Sequence, residues 1–586
     1  MTKIFAWDTE TNGLLGEAVY VSYAYDQVSF GEELHGPDDL TRWLIERVLR
    51  APFNQYLIVA HYGTRFDMLR IRWQMLAEAG FTARFYTAKN PNDILGVDIL
   101  KDGQCWRFRD SFRYFPASLA KLVETFAPDY QKGLLDFDKE SFDPRNPAHV
   151  TYAVNDAHIL RVAVERLNCF LEGEFSVTLD NAITASGIAF KALGKHAKAE
   201  GFRPPIPLVD ELEPLVRHSY HGGLVGAWRT GTFEDVLMLD FNSMYGAIML
   251  EHGIPSGVAR ITRSPYSGEI PALVLAKINM REAYPFVMSK SFKHGFGRWT
   301  GSELWTWAWD FELKLQEELG ATVERLGWIT WPDLDFRHRG FIARCRSLRR
   351  DRGGAVGALA KLFQNSCYGK YGSSAHEYDL ILDANIPPNA QPLFSEDGEI
   401  IESLWTVPAH HRQKSMVHYA SYITAAARVL LMRTLNRLPR ENWLAGDTDS
   451  LIIPTGELSR FLDLLGPDYG QLKIETEGAV TISAPKTYKF ELPDGTNRYR
   501  NKGIPRKLSE TAWETGRAEY LASSSLGVIM KRQREDGVLE YGEMSERRLS
   551  GPGSVRQGYY DDGGYWQPRG VHDTVVPGLG LLRIKT

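Results

Sequence analysis

The chain has 586 residues, too many for one ordinary hydrophobic core, so several domains are expected. A hydrophobic share of 44% with 24% charged residues describes a globular chain. It shows no secretory leader and no apolar run long enough to span a bilayer, so a cytoplasmic location without membrane attachment is expected. The net charge of −5 excludes a uniformly basic protein, and any polyanionic partner must be held by local basic patches.

The four cysteines, Cys105, Cys169, Cys345 and Cys367, are far apart and form no CxxC pair, which argues against a zinc site or a disulfide framework. Residues 3–8 and 19–25 read as strands of a hairpin turning at Asn12-Gly13, and 56–60 as a short buried strand. The first strand leads into Asp8-Thr9-Glu10, and Asp67 follows Phe66 a few residues after the strand at 56–60. Residues 151–170 have helical periodicity and place Tyr152 and Asp156 at i, i+4, on one face. Mixed strands and helices over the first 180 residues suggest an α/β domain. Each carboxylate alone is ordinary, but four of them from three elements can hold two divalent ions for phosphodiester hydrolysis.

Further along, 236–240 is an apolar strand that opens Asp240-Phe-Asn-Ser-Met-Tyr245. Residues 341–371 fit two helices joined at Gly353-Gly354. Six arginines between Arg339 and Arg352 face a single acid, Asp351, and Arg498, Arg500, Lys502, Arg506 and Lys507 form a second basic cluster. Lys361, Asn365, Tyr368 and Gly369 share one helical face. Residues 384–399 are rich in turn formers and read as an exposed loop or hairpin tip. A helix with a small apolar face is expected over 417–437, and strands over 442–453 flank the turn Gly446-Asp447-Thr448-Asp449-Ser450. The Gly-, Tyr- and Pro-rich stretch 550–570 reads as a loosely folded surface segment. An isolated Asp-Thr-Asp is more often a capped turn. With Asp240 on another strand and Lys361 on a helix, the set meets the needs of nucleotidyl transfer: carboxylates from separate strands for two metal ions, and a cation for a triphosphate.

In order and wording these segments resemble the family B DNA polymerases. Asp240 to Tyr245 is similar to that family's motif A, Lys361 to Gly369 to motif B, Asp447-Thr448-Asp449-Ser450 to motif C, and Lys486-Thr487-Tyr488 to the KxY motif that contacts the primer end. The resemblance implies Asp240 and Asp449 as main metal ligands, with Phe241 in the metal set and Asp447 assisting. It implies Tyr245 as the sugar-selecting residue and Arg349 and Lys361 as phosphate holders. Asn365, Tyr368 and Gly369 would line the nucleotide site, and Lys486 and Tyr488 the primer end. Gly246, where the family usually has Pro, and Ala445, where it usually has an aromatic, depart from the pattern.

The upstream carboxylates resemble the 3′–5′ proofreading domain of the same family. Asp8, Glu10, Asp67 and Asp156 would be its metal ligands, with Tyr152 orienting the attacking water. Asp110-Ser111-Phe112 and Lys132-Gly133-Leu134-Leu135 are similar to its further segments. Ser111 and Phe112 would grip single-stranded DNA, and Lys132 would stabilise transition-state charge. Tyr62 stands where the family normally carries Asn.

Tyr220-His221-Gly222-Gly223 resembles the YxGG signature of the protein-primed members found in small phages and linear plasmids. Asp240 and Lys361 are 121 residues apart, and Lys361 and Asp447 are 86 apart, leaving room for the two insertions of those members. Residues 304–315, from Leu304-Trp305 through Asp310 to Leu315, resemble the segment after the first part of the first insertion. The implied fold is α/β and α+β multidomain. A ribonuclease H-like exonuclease domain (1–180) precedes a right-hand polymerase domain. That domain comprises N-terminal palm (181–256), a palm and terminal-protein-region-one-like insertion (257–337), fingers (338–372), a region-two-like insertion (373–416), C-terminal palm (417–507) and thumb (508–586). Implied partners are template and primer DNA, dNTPs, a terminal protein as primer and a single-stranded DNA-binding protein, with two Mg²⁺ or Mn²⁺ per site and a monomeric chain. Three alternatives stand beside this: a family B enzyme primed by nucleic acid, an inactive DNA-binding relative, and a nuclease alone.

Overall fold

The computed structural model describes residues 2–11, 16–87, 93–133, 141–279, 286–290, 297–298, 303–373, 378–394, 400–408, 415–523, 542–551, 558–560 and 566–568. The expected turn at Asn12-Gly13, Leu134-Leu135 and most of 552–570 lie outside them.

The N-terminal region is built on a ten-stranded sheet. Lys3–Thr11 runs antiparallel to Ala18–Tyr25, with Asp8 opposite Ser22, and parallel to Tyr56–Ala60. All five residues of Tyr56–Ala60 are buried, as an interior parallel strand requires. Helix Pro147–Phe175 begins where the Asn146 side chain accepts the Ala148 N–H at 3.0 Å, with Pro at the first turn. Its buried residues Ala153, Ala157, Leu160, Val164, Leu167 and Leu171 recur at helical spacing. The helix packs on Lys3–Thr11 and Ala18–Tyr25, which brings Asp156 towards Asp8.

The far end of this sheet differs from expectation. Tyr378–Leu382, Gln391–Phe394 and Ile400–Pro408 come from the segment between the motif B and motif C regions. They extend the N-terminal sheet through Leu380 opposite Phe85. Within the stretch read as an exposed loop or hairpin tip, Gln391–Phe394 is strand and pairs antiparallel with Ile400–Pro408. The physical reason is the edge of Thr82–Thr87, whose backbone donors and acceptors need a partner.

A second sheet of seven antiparallel strands has Gly231–Phe241 at its centre. Ser450–Pro454 pairs on one side and Leu472–Ala484 on the other, so Asp240 lies opposite both Ser450 and Lys473. Helix Val417–Leu435 is buried on almost every face and packs against helix Met244–Glu251. A separate four-stranded sheet comprises Arg260–Thr262, Thr322–Thr330, Leu273–Asn279 and Glu303–Trp309 in that spatial order, with helix Asp310–Glu318 following Trp309 in the chain. Helices His338–Arg352 and Gly354–Tyr371 form the expected pair. The sharp turn between them uses positive φ at Gly353 (56°) and Gly354 (49°), where side chains other than Gly are strained. Phe175, at the end of the N-terminal helix, packs on Phe341 and Phe363 of that pair, so one apolar core runs through both regions. Among the described residues no helix is long and apolar enough to cross a membrane.

Candidate active sites

The central sheet brings the motif A and motif C carboxylates together. Asp240 is the penultimate residue of its strand, and the last, Phe241, donates its N–H to the Asp449 carbonyl at 2.8 Å. The Phe241 side chain is buried, so only its main chain faces a ligand. The turn at Asp447–Ser450 is tight: Thr448 has φ +67° and its N–H donates to the Leu224 carbonyl at 2.8 Å. Burial and then Asp240 push the Asp449 carboxyl up to about 6; Asp447 adds to this and Lys361 opposes it. Lys361 is exposed on the helix face that also carries Asn365, Tyr368 and Gly369, while Phe363, Gln364, Cys367 and Tyr371 face the core. Lys486 was expected at the primer end. Here its Nζ lies 2.9 Å from Asp447 Oδ1, and Arg500 is 3.2 Å from Asp447 Oδ2. Tyr488 pairs with Arg500 across two strands, and burial followed by Asp447 raises its phenol to about 12.

Tyr245 is buried and stacks on Tyr368, ring centroids 4.4 Å apart at 22°. Gly223 lies behind both the tyrosine and the motif C turn. A Cβ there would come within 2.8 Å of Thr448 Cγ2 and 2.9 Å of the Tyr245 hydroxyl. The Tyr220 ring packs on Gly372 at the end of the second helix of the pair. The carbonyls of His221 and Gly222 each accept from Arg428, at 2.9 Å. Arg428 also pairs with the buried Glu312 at 2.6 Å, tying the 260–330 region to this loop. Reading motifs alone missed Arg428. Its signal is an arginine in the middle of a small, apolar helix, set between Ala427 and Val429. Because removal of one member of a buried pair strands the other, Glu312→Ala is expected to lower unfolding stability by ~3–5 kcal/mol, measured by urea denaturation. The double change Glu312→Leu with Arg428→Met is expected to cost less than the sum of the two single changes.

The departures have local causes. A Cβ on Gly246 would sit 2.4 Å from the buried Gln364 amide, so the glycine makes room for a side chain from the neighbouring helix. Ala445 packs into a small core with Ala227, Met238 and Ile452. The next residue, Gly446, lies against the Trp228 indole.

In the N-terminal region Asp8, Glu10, Asp67 and Asp156 are brought together with Lys132 and Tyr152. Burial first, then Asp67, Glu10 and Asp156, hold the Asp8 carboxyl far above its ordinary range. Burial and the neighbouring acids push Glu10 up to about 8. Asp67 rises to about 6 through burial, against hydrogen bonds to its Oδ1 from the Thr9 N–H (3.0 Å) and hydroxyl (2.6 Å). Lys132 Nζ is 2.9 Å from Asp156 Oδ2, and burial followed by Asp156 keeps the Tyr152 phenol protonated. Tyr62 takes φ +63°, a backbone that Asn tolerates better, and stacks on Phe112 with centroids 4.1 Å apart. Ser111 is fully buried, with its hydroxyl 2.8 Å from His61 Nδ1 and donating to the Ala60 carbonyl. Asp110 accepts from the Tyr62, Thr64 and Phe112 amides, so it shapes this loop.

Both sites fit hard divalent cations. Their donors are carboxylate oxygens, and Asp67 Oδ2 and Asp156 Oδ1 are buried with no hydrogen-bond partner. Among the described residues no three His, Cys, Asp or Glu side chains already close around one point. Like charges keep the carboxylates apart, and Lys132, Lys473, Lys486 and Arg500 hold some of their oxygens. Between about pH 4 and 8 the folded N-terminal site keeps protons that the unfolded chain has released, so these groups cost stability as pH rises through that window. Mg²⁺ competes for the same oxygens. The Mg²⁺-induced rise in Tm is therefore expected to be larger at pH 8 than at pH 6, by scanning calorimetry, and to shrink in Glu10→Ala.

Residues 145–428 match the family of DNA polymerase type B, organellar and viral. The DNA polymerase of Bacillus phage phi29 is 25% identical over 286 residues, covering 45% of this chain and 48% of that protein. The chain thus matches about half the length of that relative. The DNA-directed DNA polymerase of Enterobacteria phage PRD1 is 24% identical over 484 residues, 77% of each chain. The solved phi29 polymerase complexed with primer-template DNA and incoming nucleotide substrates shares the fold, with TM-score 0.72 at 18% identity over 94% of this chain and 99% of that one. With these carboxylates and motifs in place, the chain is similar to the organellar and viral type B DNA polymerases and related to those of phi29 and PRD1.

Proposed function

We propose that this protein is a DNA-directed DNA polymerase with a 3′–5′ proofreading exonuclease, which starts strands on a terminal protein and displaces the strand ahead. The observation that carries the reading is the approach of Asp240, near the end of one strand, to Asp449, on the turn that leads into the neighbouring strand, with Lys361 from the helix pair acting on Asp449. Residues 1–180 form the exonuclease domain and 181–586 the palm, fingers, thumb and two insertions, with the boundaries given above.

Asp240, the Phe241 main chain, Asp449 and Asp447 would hold two Mg²⁺ or Mn²⁺, which supply charge stabilisation for attack of a primer 3′-hydroxyl and departure of pyrophosphate. Arg349 and Lys361 bind the triphosphate. Tyr245, fixed between Tyr368 and Gly223, walls off the space of a ribose 2′-hydroxyl. Asn365, Tyr368 and Gly369 line the base-pair side. Lys486 and Tyr488 approach the primer end, Lys486 being shared with Asp447. In the editing site Asp8, Glu10, Asp67 and Asp156 hold the ions. The neutral Tyr152 hydroxyl orients water, Lys132 offsets developing charge, and the Tyr62–Phe112 pair stacks a frayed base.

The YxGG-like loop and the separate sheet over 260–330 support protein priming. The test is transfer of a labelled dNMP, with Mg²⁺, onto a hydroxyl of a terminal-protein candidate encoded beside this chain. A covalent protein–nucleotide product supports the reading. Extension of oligonucleotide primers without such a product assigns a nucleic-acid-primed enzyme.

A further inference from the structure

Nothing in the sequence marks Tyr469. It lies on the turn before strand Leu472–Ala484, half-buried at the foot of helix His338–Arg352. The turn is locked to motif A. The Asn242 N–H donates to the Gln471 carbonyl, the Gly470 N–H to the Asn242 carbonyl, and Asn242 Nδ2 to the Gly466 carbonyl, each at 2.8 Å. Tyr469 is thereby registered to the backbone two residues beyond Asp240.

On its outer side the same tyrosine meets two arginines of the helix. Arg349 donates to its hydroxyl at 2.7 Å and also to the Ser243 hydroxyl. The Arg349 and Arg346 guanidinium groups lie 5.3 and 5.0 Å from the ring centroid, and Arg346 also pairs with Asp468. Arg346 and Arg349 stand at i, i+3, so one aromatic platform serves one helix face.

We propose that Tyr469 is a positioning residue for the incoming nucleotide: its hydroxyl and ring hold Arg349 beside Ser243, where the triphosphate arrives. The proposal rests on the polymerase reading. A free arginine would lose its rotamer freedom on binding phosphate. One already held loses less, so the effect falls on nucleotide affinity.

Steady-state extension of a primed template with varied dNTP tests this. Tyr469→Phe keeps the ring and is expected to raise KM for dNTP about threefold, while Tyr469→Leu removes both contacts and raises it roughly tenfold or more. kcat is expected to stay within about twofold, as for a lost ground-state contact. In an Arg349→Ala background, Tyr469→Phe is expected to change KM no further. Equal losses in kcat and kcat/KM, a lowered KM, or a Tyr469→Phe effect that persists without Arg349 would overturn the proposal. Melting curves and single-strand degradation, which does not use Tyr469, identify any variant that misfolds; the Phe variant then decides. No extension by the unmodified chain would instead overturn the polymerase reading itself.

Discussion

Asp449→Ala is expected to abolish primer extension, a loss of ~10³-fold or more, because the contribution of a metal ligand to charge stabilisation is several kcal/mol. Degradation of single-stranded DNA should stay within about twofold, since the N-terminal carboxylates lie on or against another sheet and share no member with this site. The reason for choosing Asp449 lies in its surroundings. Its carboxyl is pushed up to about 6 by burial and by Asp240, so the pair is held under repulsion that a divalent cation relieves. Asp447 is less decisive, because Lys486 and Arg500 already occupy both of its oxygens. A gel assay of labelled primer with Mg²⁺ and all four dNTPs, beside a single-stranded substrate without dNTPs, reads both activities.

The converse substitution, Asp8→Ala, is expected to lower 3′–5′ degradation by ~10³-fold and to leave extension within about twofold. Asp8 feels Asp67, Glu10 and Asp156 together, and only Lys132 among the main influences opposes them. Removing it breaks the carboxylate set at its centre. It should also remove repulsion, so the metal-free variant is expected to be more stable than the parent at pH 8, by scanning calorimetry, even as it loses the nuclease. A structural role for Asp8 would give the opposite sign.

The carboxylates could be read in the sequence because each belongs to a local element whose pattern is visible: an apolar run into Asp240, strand residues on both sides of Asp447-Thr448-Asp449, helical spacing for Tyr152 and Asp156. The helix pair was equally plain, since two glycines interrupt two helical patterns. What stayed hidden depends on distant partners. That Tyr378–Leu382 pairs with Thr82–Thr87 follows from an open edge nearly 300 residues earlier in the chain, which no local signal reports. The glycine at 246 is explained only by Gln364, which reaches it from the second helix of the pair. Ser111 lay in a matching segment, but only its burial shows that its hydroxyl is spent on His61 and Ala60. Lys473 and Tyr469 belong to no motif, and only sheet register and turn geometry bring them to Asp240 and Arg349.

A single primed template, incubated with Mg²⁺ at increasing dNTP concentration, tests the central claim most directly. The account predicts shortening of the primer without dNTPs and, past a balance point, extension to the template end. A primer that is shortened at every dNTP concentration, with no extended product, would contradict it and leave the chain a nuclease.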